Sequence, residues 1–205
     1  MARLILVRHG ETDWNKNFRY QGNSDVELNS TGIKQAKMVG ECLEKETIHS
    51  IYSSDLKRAL KTAELIGIKH DNISIEKTAL LREMHFGDFE GLNLQQMRQK
   101  FPETISTPEA WRNRPPAFSA PNGESIAQLG DRVSQFLENI KVHQSENTLL
   151  IVAHGGTLQV MICQLLGIGL EHWWQVRLSS TAVTIMMTSP YGASLTVLND
   201  TCHLQ

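Results

Sequence analysis

Arg8, His9 and Gly10 come directly after the aliphatic run Leu4-Ile-Leu-Val7, and His154 and Gly155 come after the similar run Leu149-Leu-Ile-Val-Ala153. Neutral imidazole is a nucleophile toward phosphorus when one ring nitrogen is held as N–H, and guanidinium forks match the oxygens of a phosphoryl group. His9 is therefore the candidate nucleophile. Arg8, Arg58 and His154 are the candidate donors to phosphate, assisted by backbone N–H groups near Gly10 and Gly155. The plainer alternative is a pair of strands that end in solvated polar residues. One His-Gly strand end is easily accidental, but a matched pair is harder to set aside.

The same chemistry needs a group that protonates the leaving alkoxide and later takes a proton from the hydrolytic water. Glu83, Asp88 and Glu90 fall close together in Leu80–Gly91. Glu83 is the first choice among them, and on residue chemistry alone the other two serve nearly as well. His9-Gly-Glu11 matches the H-x-E of zinc deaminases, but no cysteine pair has the accompanying C-x-x-C spacing. Neither H-E-x-x-H nor G-x-S-x-G occurs, so the expected chemistry uses no metal, no other cofactor and no serine nucleophile.

These groups must be positioned by an α/β fold. Runs of four or five aliphatics suit strands buried on both faces of a parallel sheet, whose C-terminal ends bind ligands. Asp13–Asn29 is aperiodic and reads as a long ordered loop, with Thr12 or Asp13 capping a following turn and Ser30 or Thr31 capping the next helix. His49–Ser54 reads as a strand, with Asp55 capping a helix through Leu56, Ala59, Ala63 and Ile66; Arg58 then lies in its first turn. Ile73–Glu76 is a brief edge strand. Ile126, Leu129, Val133, Phe136 and Ile140 mark a long amphipathic helix, a further helix runs from Thr157 to Leu166, and Thr181–Met187 with Leu195–Leu198 form a terminal hairpin. Five of the six prolines lie within 92–122, which predicts short helices and turns forming a lid. The glycine of His9-Gly10 is expected to bring backbone close to ligand. At least one of Trp173 and Trp174 is expected to pack in the core.

The 205 residues suffice for one α/β domain, and the formal net charge of −2 offers no basic field for nucleic acid or an acidic membrane. Cys42, Cys163 and Cys202 are odd in number and unpaired by spacing, which predicts reduced thiols. The apolar run before Arg8 is short for a signal peptide, and no window reaches the length of a membrane span. A soluble, cytoplasmic protein is expected.

The chain resembles the histidine phosphatase, or phosphoglycerate-mutase-like, superfamily. The likeness rests on Arg8-His-Gly-Glu-Thr12, Trp14-Asn15, Gln21-Gly22, Leu28-Asn-Ser-Thr-Gly32, Gln35-Ala36, Ser53-Ser-Asp-Leu-Lys-Arg58, Thr62-Ala63, Glu83, Gly87-Asp-Phe-Glu-Gly91, Gly123-Glu-Ser125 and Ala153-His-Gly155. It implies a three-layer α/β/α fold around a mostly parallel sheet, filling residues 1–205 as one domain with the lid as an insertion. It implies that His9 is transiently phosphorylated, that Glu83 is the proton donor and acceptor, and that Arg8, Arg58 and His154 hold phosphate. Asn15, Gln21, Gly22 and Gly155 are implied to contact phosphate or substrate. Family mutases are usually longer, so hydrolysis of a small phosphomonoester is expected here over transfer back to substrate. Segments Glu83–Glu90 and Trp173–Arg177 are most similar to bacterial α-ribazole phosphatases of cobalamin nucleotide-loop assembly. The alternatives are a broad-specificity small-molecule phosphatase, a phosphoglycerate mutase or a non-catalytic phospholigand-binding module.

Overall fold

The computed structural model describes residues 1–70, 73–105, 115–143 and 146–205. In chain order its main elements are β1 (Ala2–Arg8), α1 (Asp13–Lys16), α2 (Ser30–Leu43), β2 (Ser50–Ser54), α3 (Lys57–Gly67), β3 (Ile75–Thr78), α4 (Leu94–Lys100), α5 (Ile126–Asn139), β4 (Thr148–Ala153), α6 (Gly155–Leu166), β5 (Val183–Ser189) and β6 (Gly192–Asp200). They form a six-stranded sheet in the order β3-β2-β4-β1-β5-β6. The four strands from β3 to β1 are parallel, and β5 and β6 join antiparallel.

Strand alternation explains the two helical layers. Leu4 and Leu6 of β1, with Leu149 and Ile151 of β4, pack in one cluster with Leu129, Val133 and Phe136 of α5 and Leu158 and Met161 of α6. Ile5, Val7, Leu150 and Val152 point the other way and pack against Val39 and Leu43 of α2 and Ala59, Ala63 and Ile66 of α3. The aliphatic runs are thus buried on both faces, as their composition requires.

Several local expectations are corrected. The cap of α2 is Asn29, not Ser30 or Thr31: its Oδ1 accepts from Gly32 N at 2.8 Å, and its Nδ2 donates to Glu11 Oε1 at 2.9 Å, tying the helix to the loop after β1. Asp55 caps nothing. It accepts both Arg82 Nε and Arg82 Nη2, at 2.7 and 2.6 Å, and α3 begins after Leu56 with no side-chain cap. The 13–29 loop contains the one-turn helix α1, closed by a capping box between Thr12 and Asn15. The edge strand is displaced to Ile75–Thr78, where Ile75 finds Ile51 as its partner. Helix α6 starts two residues early, at Gly155. At Gly10 a Cβ would lie 2.5 Å from the carbonyl oxygen of Gly32, so the position also has a packing reason to be glycine.

Of the expected lid, α4 lies at Leu94–Lys100 with Met97 buried; residues 106–114, including Pro108 and Trp111, lie outside the described residues. Cys42, Cys163 and Cys202 are free thiols. Among the described residues no helix is long and apolar enough to cross a membrane.

Candidate active site

Parallel pairing of β1 with β4 sets Arg8 opposite Ala153, and His9 N donates to Ala153 O at 2.9 Å. The next residue of each strand leaves the sheet at the same point. The His9 and His154 ring centroids lie 5.1 Å apart with planes at 60°. The two imidazoles therefore converge.

The hydrogen bond of His9 assigns its tautomer. His9 Nδ1 lies 2.7 Å from Gly10 O, which can only accept, so Nδ1 carries the proton and Nε2 presents its lone pair. His154 Nε2 lies 2.8 Å from Ser54 Oγ, and that hydroxyl already accepts from Leu56 N. A serine oxygen has two lone pairs and one proton, so this contact fits either ring tautomer of His154; when the hydroxyl donates to Nε2, Nδ1 is the N–H.

Helix α3 carries Arg58 in its first turn, fully buried, with Nη1 on Ser24 O and Nη2 on Gly22 O, both at 2.7 Å. Arg8 Nη1 donates to Leu178 O at 2.7 Å. Arg8 Nε, Arg58 Nε and His154 Nδ1 are buried with no hydrogen-bond partner among the described residues. Buried polar groups are normally satisfied, and two unpartnered guanidinium N–H groups beside an unpartnered ring nitrogen call for an acceptor such as an oxyanion.

Arg8, His9, Asn15, Gln21, Arg58, Glu83 and Gly155 line a cavity of about 240 Å³. Two expected residues sit outside that lining. His154 is fully buried, its ring centroid 5.1 Å from that of His9. Gly22 acts through its carbonyl on Arg58, at a φ of +53°, and a Cβ there would fall 2.0 Å from Glu90 Oε1. Asn15 and Gln21 are held through their oxygens, Asn15 Oδ1 by Thr12 N at 3.1 Å and Gln21 Oε1 by Thr12 Oγ1 at 3.0 Å. Their amide N–H groups remain as donors.

The three candidate carboxylates now separate. Glu83 Oε1 accepts from Met84 N at 2.9 Å and Thr157 N at 3.3 Å, and Oε2 accepts from Gly156 N at 3.2 Å, so the carboxylate sits at the N-terminus of α6. Glu90 is spent on Asn23 N, Ser24 N, Ser24 Oγ and Phe86 N, and Asp88 is exposed beside Asn122. Among the described residues no three His, Cys, Asp or Glu side chains gather as a metal would require.

Arg19, Tyr20, Phe86, Gly156, Gln159, Trp173 and Leu178 complete the cavity wall and were not singled out from sequence as site residues. They come from the 14–22 loop, the segment after Glu83, α6, the 3-10 helix Leu170–Gln175 and the strand-connecting stretch before β5. No local periodicity announces them. Trp173 also packs against the core, so the expected packing role and the cavity role coincide.

Burial holds the His9 imidazole well below its ordinary value, with Arg58 and then Arg8 acting in the same direction. His154 is also held well below its ordinary value, first by burial and then by Arg58. Burial brings Arg58 down to about 10, so it remains a cation at neutral pH. The histidine shifts fix a sign for stability. An unfolded imidazole takes up a proton below about pH 6.5 while the folded one stays neutral, so stability falls as pH drops through that value, by about 1.4 kcal/mol per unit for each ring. Calorimetric melting between pH 7 and 5 should therefore show a steeper fall for wild type than for His154→Asn. Identical slopes would contradict the buried neutral state.

Residues 4–201 match the family model described as the histidine phosphatase superfamily, branch 1. Phosphoserine phosphatase 1 of Hydrogenobacter thermophilus is 33% identical over 204 residues, covering 100% of this chain and 95% of that protein. A 2,3-bisphosphoglycerate-dependent phosphoglycerate mutase of Bartonella henselae is 35% identical over 192 residues, covering 90% of this chain and 91% of its own. The crystal structure of the α-ribazole phosphatase from Shigella flexneri superposes with a TM-score of 0.87 at 31% identity, covering 97% of this chain and 96% of that one.

Proposed function

This chain belongs to the histidine phosphatase superfamily and is a phosphoric monoester hydrolase, and from that premise we propose that it works through a phosphohistidine at His9, with α-ribazole 5′-phosphate as its preferred substrate. The observation that carries the mechanism is the set of partnerless buried nitrogens, Arg8 Nε, Arg58 Nε and His154 Nδ1, beside a His9 ring whose Nε2 is free to attack. The phosphoryl oxygens accept from those nitrogens, which stabilise charge already present and charge that builds up in the transition state. His9 Nε2 forms the N–P bond as the ester P–O bond breaks, and Glu83 gives its proton to the leaving oxygen. Glu83, now a carboxylate, takes a proton from water. That water attacks phosphorus, the N–P bond breaks, and inorganic phosphate leaves with His9 neutral again.

The aromatic and apolar side chains Tyr20, Phe86, Trp173 and Leu178 support the substrate preference, because they offer a surface on which a flat, uncharged base can lie. The competing reading is a small carboxylate-bearing ester such as phosphoserine or 3-phosphoglycerate, and the Arg19 guanidinium on the same wall favours it. A panel of α-ribazole 5′-phosphate, L-phosphoserine and 3-phosphoglycerate decides between them. The account expects kcat/KM highest for α-ribazole 5′-phosphate by about tenfold, as burial of an apolar base in a fitted site allows. A higher value for either carboxylate ester would reverse the assignment. Formation of 2-phosphoglycerate faster than free phosphate, from 3-phosphoglycerate and a bisphosphate primer, would make it a mutase.

A further inference from the structure

Glu83 stands on a stretch with little backbone pairing of its own, between the 3-10 turns Ala79–Leu81 and Gly87–Phe89. Its orientation must be imposed by other groups. One guanidinium, Arg132 on α5, reaches almost all of that stretch: Nη1 donates to Leu80 O at 2.6 Å and to Arg82 O at 3.0 Å, and Nη2 to Glu83 O at 3.4 Å. The same guanidinium is itself held by Glu124, Nε on Oε1 at 3.0 Å and Nη2 on Oε2 at 2.9 Å. Glu124 Oε2 also accepts from His85 N at 3.1 Å, so the pair grips the segment on both sides of Glu83. Both side chains are mostly buried. From the opposite side Thr157 Oγ1 donates to Arg82 O at 2.7 Å, which saturates that carbonyl. The base of the clamp is rigid, because α5 is closed by a capping box between Ser125 and Gln128 and buries Leu129 and Val133 on either side of Arg132.

We propose that Arg132, locked by Glu124, is a positioning residue that holds the 80–85 backbone so that the Glu83 carboxylate meets the leaving oxygen. The proposal rests on the reading of Glu83 as proton donor. A planar five-donor fork suits the task, since its geometry is fixed and it reaches three carbonyls and a carboxylate at once. Lysine offers one point charge in its place.

The test measures kcat/KM, which reports steps up to departure of the leaving group, for a primary alkyl phosphate and for p-nitrophenyl phosphate. The proteins are wild type, Arg132→Met, Arg132→Lys, Glu124→Gln, Glu83→Gln and Glu83→Gln/Arg132→Met. A carboxyl group displaced by about 1 Å loses roughly 10- to 100-fold in effectiveness. Arg132→Met should lose that factor on the alkyl ester and no more than about threefold on p-nitrophenyl phosphate, whose leaving group needs little protonation. Glu124→Gln keeps the shape of the clamp and should show the same selectivity at smaller size, which covers the case in which Arg132→Met folds poorly. Arg132→Lys should recover only part of the loss. In the Glu83→Gln background the Arg132 substitution should cost nothing further, because its effect passes through the group already removed. Equal losses on both substrates, or an undiminished loss in that background, would overturn the proposal and leave the Glu83 reading standing. If Glu83→Gln itself fails to discriminate between the two esters, the reading of Glu83 falls and the proposal with it.

Discussion

His9→Ala lowers turnover on the order of 10⁴-fold or more, while phosphate still binds within a few-fold of its wild-type affinity. The two halves of this expectation come from different atoms. In the proposed mechanism turnover depends on the Nε2 lone pair, which the Nδ1 contact to Gly10 O keeps available. In the same mechanism binding depends on Arg8, Arg58 and His154, whose unpartnered nitrogens the substitution leaves in place. The variant should also stay folded, since the lost ring is a buried polar group and makes its one side-chain hydrogen bond to the adjacent residue. Steady-state kinetics and titration with inorganic phosphate check both halves. Wild-type turnover in His9→Ala, or loss of phosphate binding with loss of turnover, would contradict the division of labour.

Glu83→Gln is expected to lower kcat/KM for an alkyl phosphate by roughly 10²- to 10³-fold, the usual range for removing a general acid, and to leave p-nitrophenyl phosphate within about tenfold. Glu83 enters the proposed cycle twice, so the variant should also release p-nitrophenolate in a burst and then turn over slowly as the phosphoenzyme waits for a base. Geometry adds a second reason for a large effect. The carboxylate oxygens accept from Met84 N, Thr157 N and Gly156 N, and an amide presents an NH₂ group to at least one of those donors. Rapid-mixing absorbance measurements separate the burst from the steady rate. Absence of a burst, with equal losses on both esters, would remove Glu83 from both proton transfers.

The parts of this site that could be read from sequence are those set by strand ends. Two aliphatic runs each leading to His-Gly put both imidazoles on one rim provided the strands are neighbours, and the parallel register of Arg8 with Ala153 places the histidines 5.1 Å apart between ring centroids. Arg58 was legible for the same reason, at a strand-to-helix junction. The choice among Glu83, Asp88 and Glu90 was not, because it depends on which carboxylate meets the start of α6 and which is consumed by Asn23 and Ser24. Arg19, Tyr20, Phe86, Gln159 and Leu178 come from connections whose conformation follows from tertiary contact rather than from period or propensity. Arg132 is hidden differently: on a helix wheel it reads as an ordinary solvated position next to Val133, and only its reach to Leu80 O and Arg82 O shows its use. Asp55 and Gly10 show the same effect in reverse. A good cap residue was diverted to Arg82, and a glycine expected to bring backbone close to ligand also makes room for the Gly32 carbonyl.

The central claim is the covalent intermediate, and trapping it is the most direct measurement. Wild-type protein mixed with a ³²P-labelled phosphomonoester and quenched in alkali within the first turnover should carry about one labelled phosphate per chain, stable to base, labile to acid and absent from His9→Ala. A wild-type protein that hydrolyses the ester yet never holds acid-labile phosphate, with His9→Ala hydrolysing it equally well, would contradict the account.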